Sequence, residues 1–252
     1  MVIPRNRHRK STGWLLDNLR GLVMANAGFR VKGALGTAQI DSNYNNFELV
    51  ASGTIYLTSG GTEGRYADFS LPAGELFPVV ALAGAYSCWS VMISNTVCRV
   101  YAIVTGGISP PINYYVFGTP KPTSSGAGGI IGLRVRNPLT GNIAYSSERK
   151  YMKVLARRAG TLGRREVVSG SISGRTTAMA VQMRPYFWLR RTVSQGQPVT
   201  NTQVEGGRAI CSGGSWQYTL DTISAASVPG TQTTLSYEFY NYSFLILDVT
   251  GY

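Results

Sequence analysis

From Gly28 to the end, the chain is built of short runs that alternate apolar and polar residues. FRVK, AQIDS and FELVASGTIYL alternate in this way and are bounded by Gly, Asn and Ser. A period of two marks a strand, because successive side chains of a strand point to opposite faces. CWSVMI, CRVYAIVTG and NYYVFG continue the pattern, as do REVVSGSISG, TAMAVQMRPYFWLRR, RAICSGGSWQYTL and TLSYEFYNYSFLILDV further on. SLPAGELFPVVALAG carries Pro72 and Pro78, which confine any strand there to its edges or ends. Residues 1–23 differ: Ser11 or Thr12 is placed to cap a short helix carrying Trp14, Leu15, Leu19, Leu22 and Val23. The pattern predicts an all-β chain of two tandem small antiparallel sandwich or barrel domains, preceded by a short N-terminal arm.

One stretch occurs twice. GFRVKGALGTAQIDSNYNNFELVA, Gly28 to Ala51, aligns with GLRVRNPLTGNIAYSSERKYMKVLA, Gly132 to Ala156, with one gap before Gly36. Gly28, Arg30, Val31, Leu35, Gly36, Ser42 and Ala51 meet Gly132, Arg134, Val135, Leu139, Gly141, Ser147 and Ala156. The repeat predicts one β-unit used twice, each opening with a three-strand meander around a turn glycine of positive φ. GTPKPTSSGAGG, Gly118 to Gly129, has almost nothing to bury and reads as a linker. The expected organisation is therefore a basic arm at 1–23, a first β domain at 24–120, a linker at 121–129 and a second β domain at 130–252.

Charge separates these parts. The net charge is +12. Residues 1–23 hold five basic residues and one acidic, 24–125 hold five of each, and 126–252 hold fourteen basic and six acidic. At 44% hydrophobic and 14% charged, the chain has the composition of a folded core rather than a disordered tail. No run reaches the eighteen or so apolar residues of a membrane-spanning helix, and Asp17 and Asn18 interrupt what would be a signal-peptide core. Two readings of residues 1–23 stand side by side: a docking arm, or a start placed upstream of the true initiator Met24.

Candidate chemistry is sparse. His8 is the only histidine and lies in the arm, so no histidine-based triad or metal site is available to the body. Asp41, Glu48, Glu63, Asp68 and Glu75 are scattered with no spacing that nominates a catalytic pair. Cys88, Cys98 and Cys211 have no metal spacing. Cys88 and Cys98 would lie about 30 Å apart on one extended strand, so a disulfide needs a hairpin between them; buried thiols are expected. The reading is of a protein that is not an enzyme and needs no cofactor.

Binding surfaces offer more. Arg149, Lys150, Lys153, Arg157, Arg158, Arg164 and Arg165 cluster around Tyr151, and Tyr186, Phe187 and Trp188 precede Arg190 and Arg191. Basic groups interleaved with aromatics suit single-stranded nucleic acid. The favoured alternative makes the aromatics core and turns the arginines to solvent or to an acidic partner, since a strand sends half its residues outward. Trp14, Leu15 and Leu19 with Arg157 and Arg158 are the expected partner-docking residues. Trp89, Trp188 and Trp216 are the candidates for stacking on a glycan or receptor if their indoles are exposed, but a tryptophan buried in the core is the commoner state.

The second copy, GLRVRNPLTGNIAYSSERKYMKVL, resembles a motif that opens domains in small virion proteins of tailed bacteriophages. Its pattern is Gly-Leu-x-Val, a short Gly turn, an aromatic or apolar residue before Ser, and an aromatic before a hydrophobic strand. The first copy is similar to the companion motif of those proteins, in which Ile-Asp-Ser-x-Tyr recurs. NYYVFGTPKP and the closing YSFLILDVTGY fit the same layout, so the resemblance covers about residues 24–160 and the last dozen. The basic arm stands outside it. The resemblance implies a structural protein of a phage tail tip, baseplate or fibre-attachment region. It implies assembly into a homo-oligomer, with threefold symmetry expected from tail fibres and spikes, contacts with other tail proteins, and a place in the virion after synthesis in the bacterial host cytoplasm. A receptor- or glycan-binding module on the tail, facing the host cell surface, is the alternative; nucleic acid ranks below both.

Overall fold

The computed structural model describes residues 30–32, 38–41, 46–61, 64–75, 77–104, 111–119, 134–136, 143–147, 149–163, 165–195, 197–229 and 235–252. These residues form strands and turns and contain no helix. The predicted arm at 1–23, with its helix, and the 121–129 linker lie outside them, as do the turn glycines Gly36 and Gly141.

The first half supplies β1 (Arg30–Lys32), β2 (Ala38–Asp41), β3 (Glu48–Tyr56), β4 (Ser59–Gly61), β5 (Gly64–Ser70), β6 (Val79–Met92), β7 (Val97–Ala102) and β8 (Pro111–Gly118). The second supplies β9 (Arg134–Arg136), β10 (Ile143–Ser146), β11 (Lys153–Thr161), β12 (Val167–Ser171), β13 (Thr177–Met183), β14 (Tyr186–Gln195), β15 (Gln197–Ser212), β16 (Ser215–Pro229), β17 (Leu235–Phe239) and β18 (Asn241–Asp248). The described pairings are antiparallel, as the alternating pattern predicts. Pro111 opens its strand and Pro229 ends its own, where a missing N–H costs no central ladder bond.

The repeat is visible in the hydrogen-bond register. β1 pairs β2 as Arg30↔Asp41, Val31↔Ile40 and Lys32↔Ala38, skipping Gln39. β9 pairs β10 as Arg134↔Ser146, Val135↔Tyr145 and Arg136↔Ile143, skipping Ala144, which is the aligned position. The third strands also match. β3 on β8 shifts register between Leu49 and Ala51, opposite Phe117 and Val116. β11 on β18 shifts between Val154 and Ala156, opposite Leu247 and Ile246. A bulge at one aligned position in both copies is what duplication of one β-unit leaves behind. The meander expected at each opening is corrected: the hairpin forms its own two-stranded sheet, and the third strand leaves it to pair with the last strand of its half.

Those pairings extend into one curled sheet in the order β3–β8–β6–β13–β18–β11. Its edges meet where Glu48 bridges Tyr151. There the Leu49 N–H donates to the Lys150 carbonyl at 2.7 Å, and the Met152 N–H donates to the Phe47 carbonyl at 2.9 Å. The other junction between the halves within this sheet is Leu82↔Met179. The registers on β8 and β18 make Ala81 equivalent to Ala180. An approximate twofold axis therefore passes between Ala81 and Ala180 on one side of the barrel, and between Phe47 and Met152 on the other.

Strand pairing thus runs across the boundary between the expected domains. Each half contributes three barrel strands, too few to enclose a core, and the core is accordingly shared. Ala81, Tyr115 and Phe117 from the first half pack in one cluster with Met179, Trp216, Tyr218, Phe244 and Leu247 from the second. A second cluster, with Leu57, Phe69, Cys98, Val100 and Ile112, belongs to the first half.

β6 joins this barrel to a second sheet. Residues Val79 to Ala83 pair with β8, while Cys88 to Met92 pair with β7 and Cys88 also faces Ala209 of β15. Gly84 sits where the strand changes sheets, and a Cβ there would stand 2.6 Å from Ile112 Cδ1. Strands that switch sheets form the corners of such folds. The second sheet continues through β15 to β14, β16, β12 and β17.

Candidate functional site

Of the three tryptophans considered for ligand stacking, the two whose side chains are described lie in the core. Trp89 is 2% exposed. Its indole stacks on Tyr101 at 5.2 Å between centroids, with the Arg184 guanidinium 4.7 Å away over the ring. Tyr66 lies opposite Tyr101 on the next strand and carries Arg99 at 4.2 Å over its ring. This row of rings crosses β5, β7 and β6 with an arginine at each end. Trp216 is 5% exposed and meets Phe244 edge-on at 5.7 Å. Neither indole offers the open face that a sugar ring needs, because burying a large ring gains more than leaving it wet. Trp188 sits on β14 between Val204 and Tyr237, and its side chain lies outside the described ones. Trp14, Leu15 and Leu19 lie outside the described residues.

The carboxylates are held by cations and backbone rather than by each other. Asp68 accepts two bonds from Arg99, at 2.6 and 2.9 Å. The hydrogen bond from Arg99 lowers the pKa of its carboxyl. Glu48 accepts from Arg149 at 2.6 Å across the seam between the halves, with both side chains nearly buried. Asp248 pairs with Arg175 at 3.0 Å. Glu75 is buried and accepts the Thr119 N–H at 3.1 Å. Among the described residues no cluster of three His, Cys, Asp or Glu is arranged to hold a metal ion.

All three thiols are free and buried, as expected. The hairpin a disulfide would need does exist, but β7 places Cys98 opposite Met92 and sets Ala102 opposite Cys88. Burial pushes the Cys88 thiol up to about 12 and the Cys98 thiol up to about 11. Such thiols are poor nucleophiles, since the thiolate is the reacting form.

What remains is the basic margin of the barrel. Tyr151 is buried, stacks on Tyr145 at 4.9 Å, and its hydroxyl oxygen accepts the Ser146 N–H at 2.7 Å. It is core, as the favoured reading of the basic cluster requires, and is not available to stack on a base. Lys150 donates to the Gly251 carbonyl at 2.6 Å, and Lys150 and Lys153 lie 5.3 and 5.6 Å from the Tyr252 ring. The Tyr252 hydroxyl donates to the Tyr151 carbonyl, so the end of the chain straps the seam.

Beyond the seam β11 has one described neighbour. β18 covers it from Lys153↔Asp248 to Thr161↔Asn241, while the bridge to the first half stops at Tyr151. Residues Arg157 to Thr161 are exposed. Arg157 and Arg158, adjacent on a strand, point to opposite faces, and Arg158 lies 5.9 Å from the Trp216 ring. Neither forms an ion pair among the described residues. Of the basic residues named from sequence, Arg157 and Arg158 stand on this edge, while Arg149, Lys150 and Lys153 are engaged at the seam.

No protein-family model, no curated protein and no solved structure matches the chain. The candidate site therefore rests on the chain's own geometry: an edge whose outer backbone groups no described strand pairs, with positive charge on both faces.

Proposed function

We propose that the chain is a structural protein of a tailed-bacteriophage particle, built into the tail tip, baseplate or fibre-attachment region and acting by assembly. The observation that carries this reading is the repeat itself, whose second copy resembles a domain-opening motif of small phage virion proteins and whose first copy resembles their companion motif. In the structure each copy is a bulged hairpin followed by a bulged barrel strand. A barrel with a free strand edge suits a subunit that binds neighbours through backbone and surface rather than through a reactive pocket. Homo-oligomerisation, with threefold symmetry, belongs to the same proposal. The glycan-binding alternative loses support at Trp89 and Trp216, whose rings are enclosed by protein.

Mass spectrometry of purified phage particles tests the reading, with copy number and the N-terminal peptide as readouts. Stoichiometric presence supports it. A first peptide at Met1 or Val2 keeps the arm, and one at Met24 or Ala25 removes the arm alone. Absence from particles overturns the structural role.

A further inference from the structure

β11 pairs with β18 from Lys153 to Thr161, with only Leu155 skipped at the bulge, and presents its other side to no described strand beyond the seam. Over Val154–Thr161 that side leaves about four N–H and four C=O groups without a strand partner, since alternate residues of a strand direct their backbone groups to opposite sides. An exposed edge of this length is a template for another strand. Its charge decides which strand. Residues 149–165 hold seven basic residues and no acidic one. Arg157 and Arg158 place one guanidinium above the sheet plane and one below it.

We infer that the β11 edge receives an extended acidic segment of another protein, which adds to the sheet as a strand. A second copy of the same edge is the wrong occupant. It would set Arg157 and Arg158 against like charges across the new ladder, and like charges directly opposite destabilise a pair of strands. The matching segment carries two consecutive carboxylates, one facing each side of the sheet, so that both arginines are answered at once. Backbone bonds then supply affinity, and the carboxylate pair supplies register and choice of partner. The same arginines explain why the edge stays open in the isolated chain, because charge on an edge is a standard defence against self-association. The inference deepens the assembly reading and rests on it for the nature of the partner.

The test uses the full chain and a fluorescent peptide of nine β-forming residues with Asp-Glu at its centre. Anisotropy at low salt measures binding, and amide hydrogen exchange maps it. The expected result is saturable binding together with slowed exchange within Val154–Thr161. The double variant Arg157→Glu/Arg158→Glu should weaken binding about tenfold or more, and a peptide with Lys-Arg at its centre should restore it. Both residues are exposed, so an unchanged urea midpoint is expected for the variant and shows that it folds. Binding without protection of those amides would reduce the edge to a charge patch and overturn the inference, as would indifference to charge reversal or no binding at millimolar peptide. The two readings fail separately. A chain absent from particles that still binds the peptide sinks the phage role and keeps the edge. A chain present in particles that ignores the peptide does the reverse.

Discussion

Phe117 and Leu247 occupy equivalent places in the two halves, each opposite the bulge of its third strand, and both are fully buried. Phe117→Ala removes a ring whose burial contributes about 1.5–3 kcal/mol from transfer alone. The cavity left in a barrel held by strands on both sides cannot collapse freely, which raises the expected cost to about 3–5 kcal/mol. Leu247→Ala should cost about 2–5 kcal/mol by the same reasoning. For a chain of this size that corresponds to a fall in Tm of about 6–20 °C for Phe117→Ala. Urea denaturation followed by tryptophan fluorescence and by far-UV circular dichroism is the assay. Because Phe117 packs in the cluster that also holds Trp216 and Phe244, a lesion in the first half should shift one transition, seen alike by both probes. Two separated transitions, with only the first moved by Phe117→Ala and only the second by Leu247→Ala, would refute the shared core.

Other positions give independent tests. Gly84→Val should destabilise by about 1–3 kcal/mol through overpacking against Ile112, and Ile112→Ala in the same chain should recover part of the loss, read by urea midpoint. Asp68 should titrate below the ordinary carboxylate range by carbon-detected NMR, and Arg99→Gln should return it to that range. Because its folded pKa is the depressed one, its small stabilising contribution is present above the unfolded carboxylate pKa and is lost as pH falls through the folded value. Ellman's reagent at pH 8 should label none of Cys88, Cys98 and Cys211 in the native chain and all three in denaturant; rapid native labelling of any of them would contradict their burial.

Much of the fold can be read from the chain because period-two alternation is a local property. β3, β13 and β18 fall inside runs legible from sequence, and β7 and β8 overlap such runs and start one and two residues before them. The repeat was legible too, and its aligned residues prove to be equivalent in register down to the skipped Gln39 and Ala144. Other features depend on contacts distant in sequence. VVALAG and CWSVMI read as separate runs, yet they form the single strand β6, because small residues around Gly84 let the chain bend against Ile112. TVSQ and QPVTNTQV show no apolar face and signal no strand. They become strand in β14 and β15, which are held by pairing with each other and with β16. The joining of the halves was hidden for the same reason, since it rests on Leu82↔Met179, Glu48↔Tyr151 and Cys88↔Ala209. Of the candidate site residues, Arg157 and Arg158 are both exposed, as their charge predicts; alternation alone would have turned one of them inward. Trp89 and Trp216 are core, the commoner state of a tryptophan, although an alternating run alone reads the same whether its face meets solvent or another sheet.

A single curled sheet made by two copies of one unit lies at the centre of the fold. Cross-strand NOEs between backbone protons in the deuterated chain test it most directly. The structure predicts NOEs linking Leu82 with Met179 and Glu48 with Tyr151, alongside those within β3–β8 and β11–β18. Intact NOEs within each half and none between them would contradict it, leaving two separate domains.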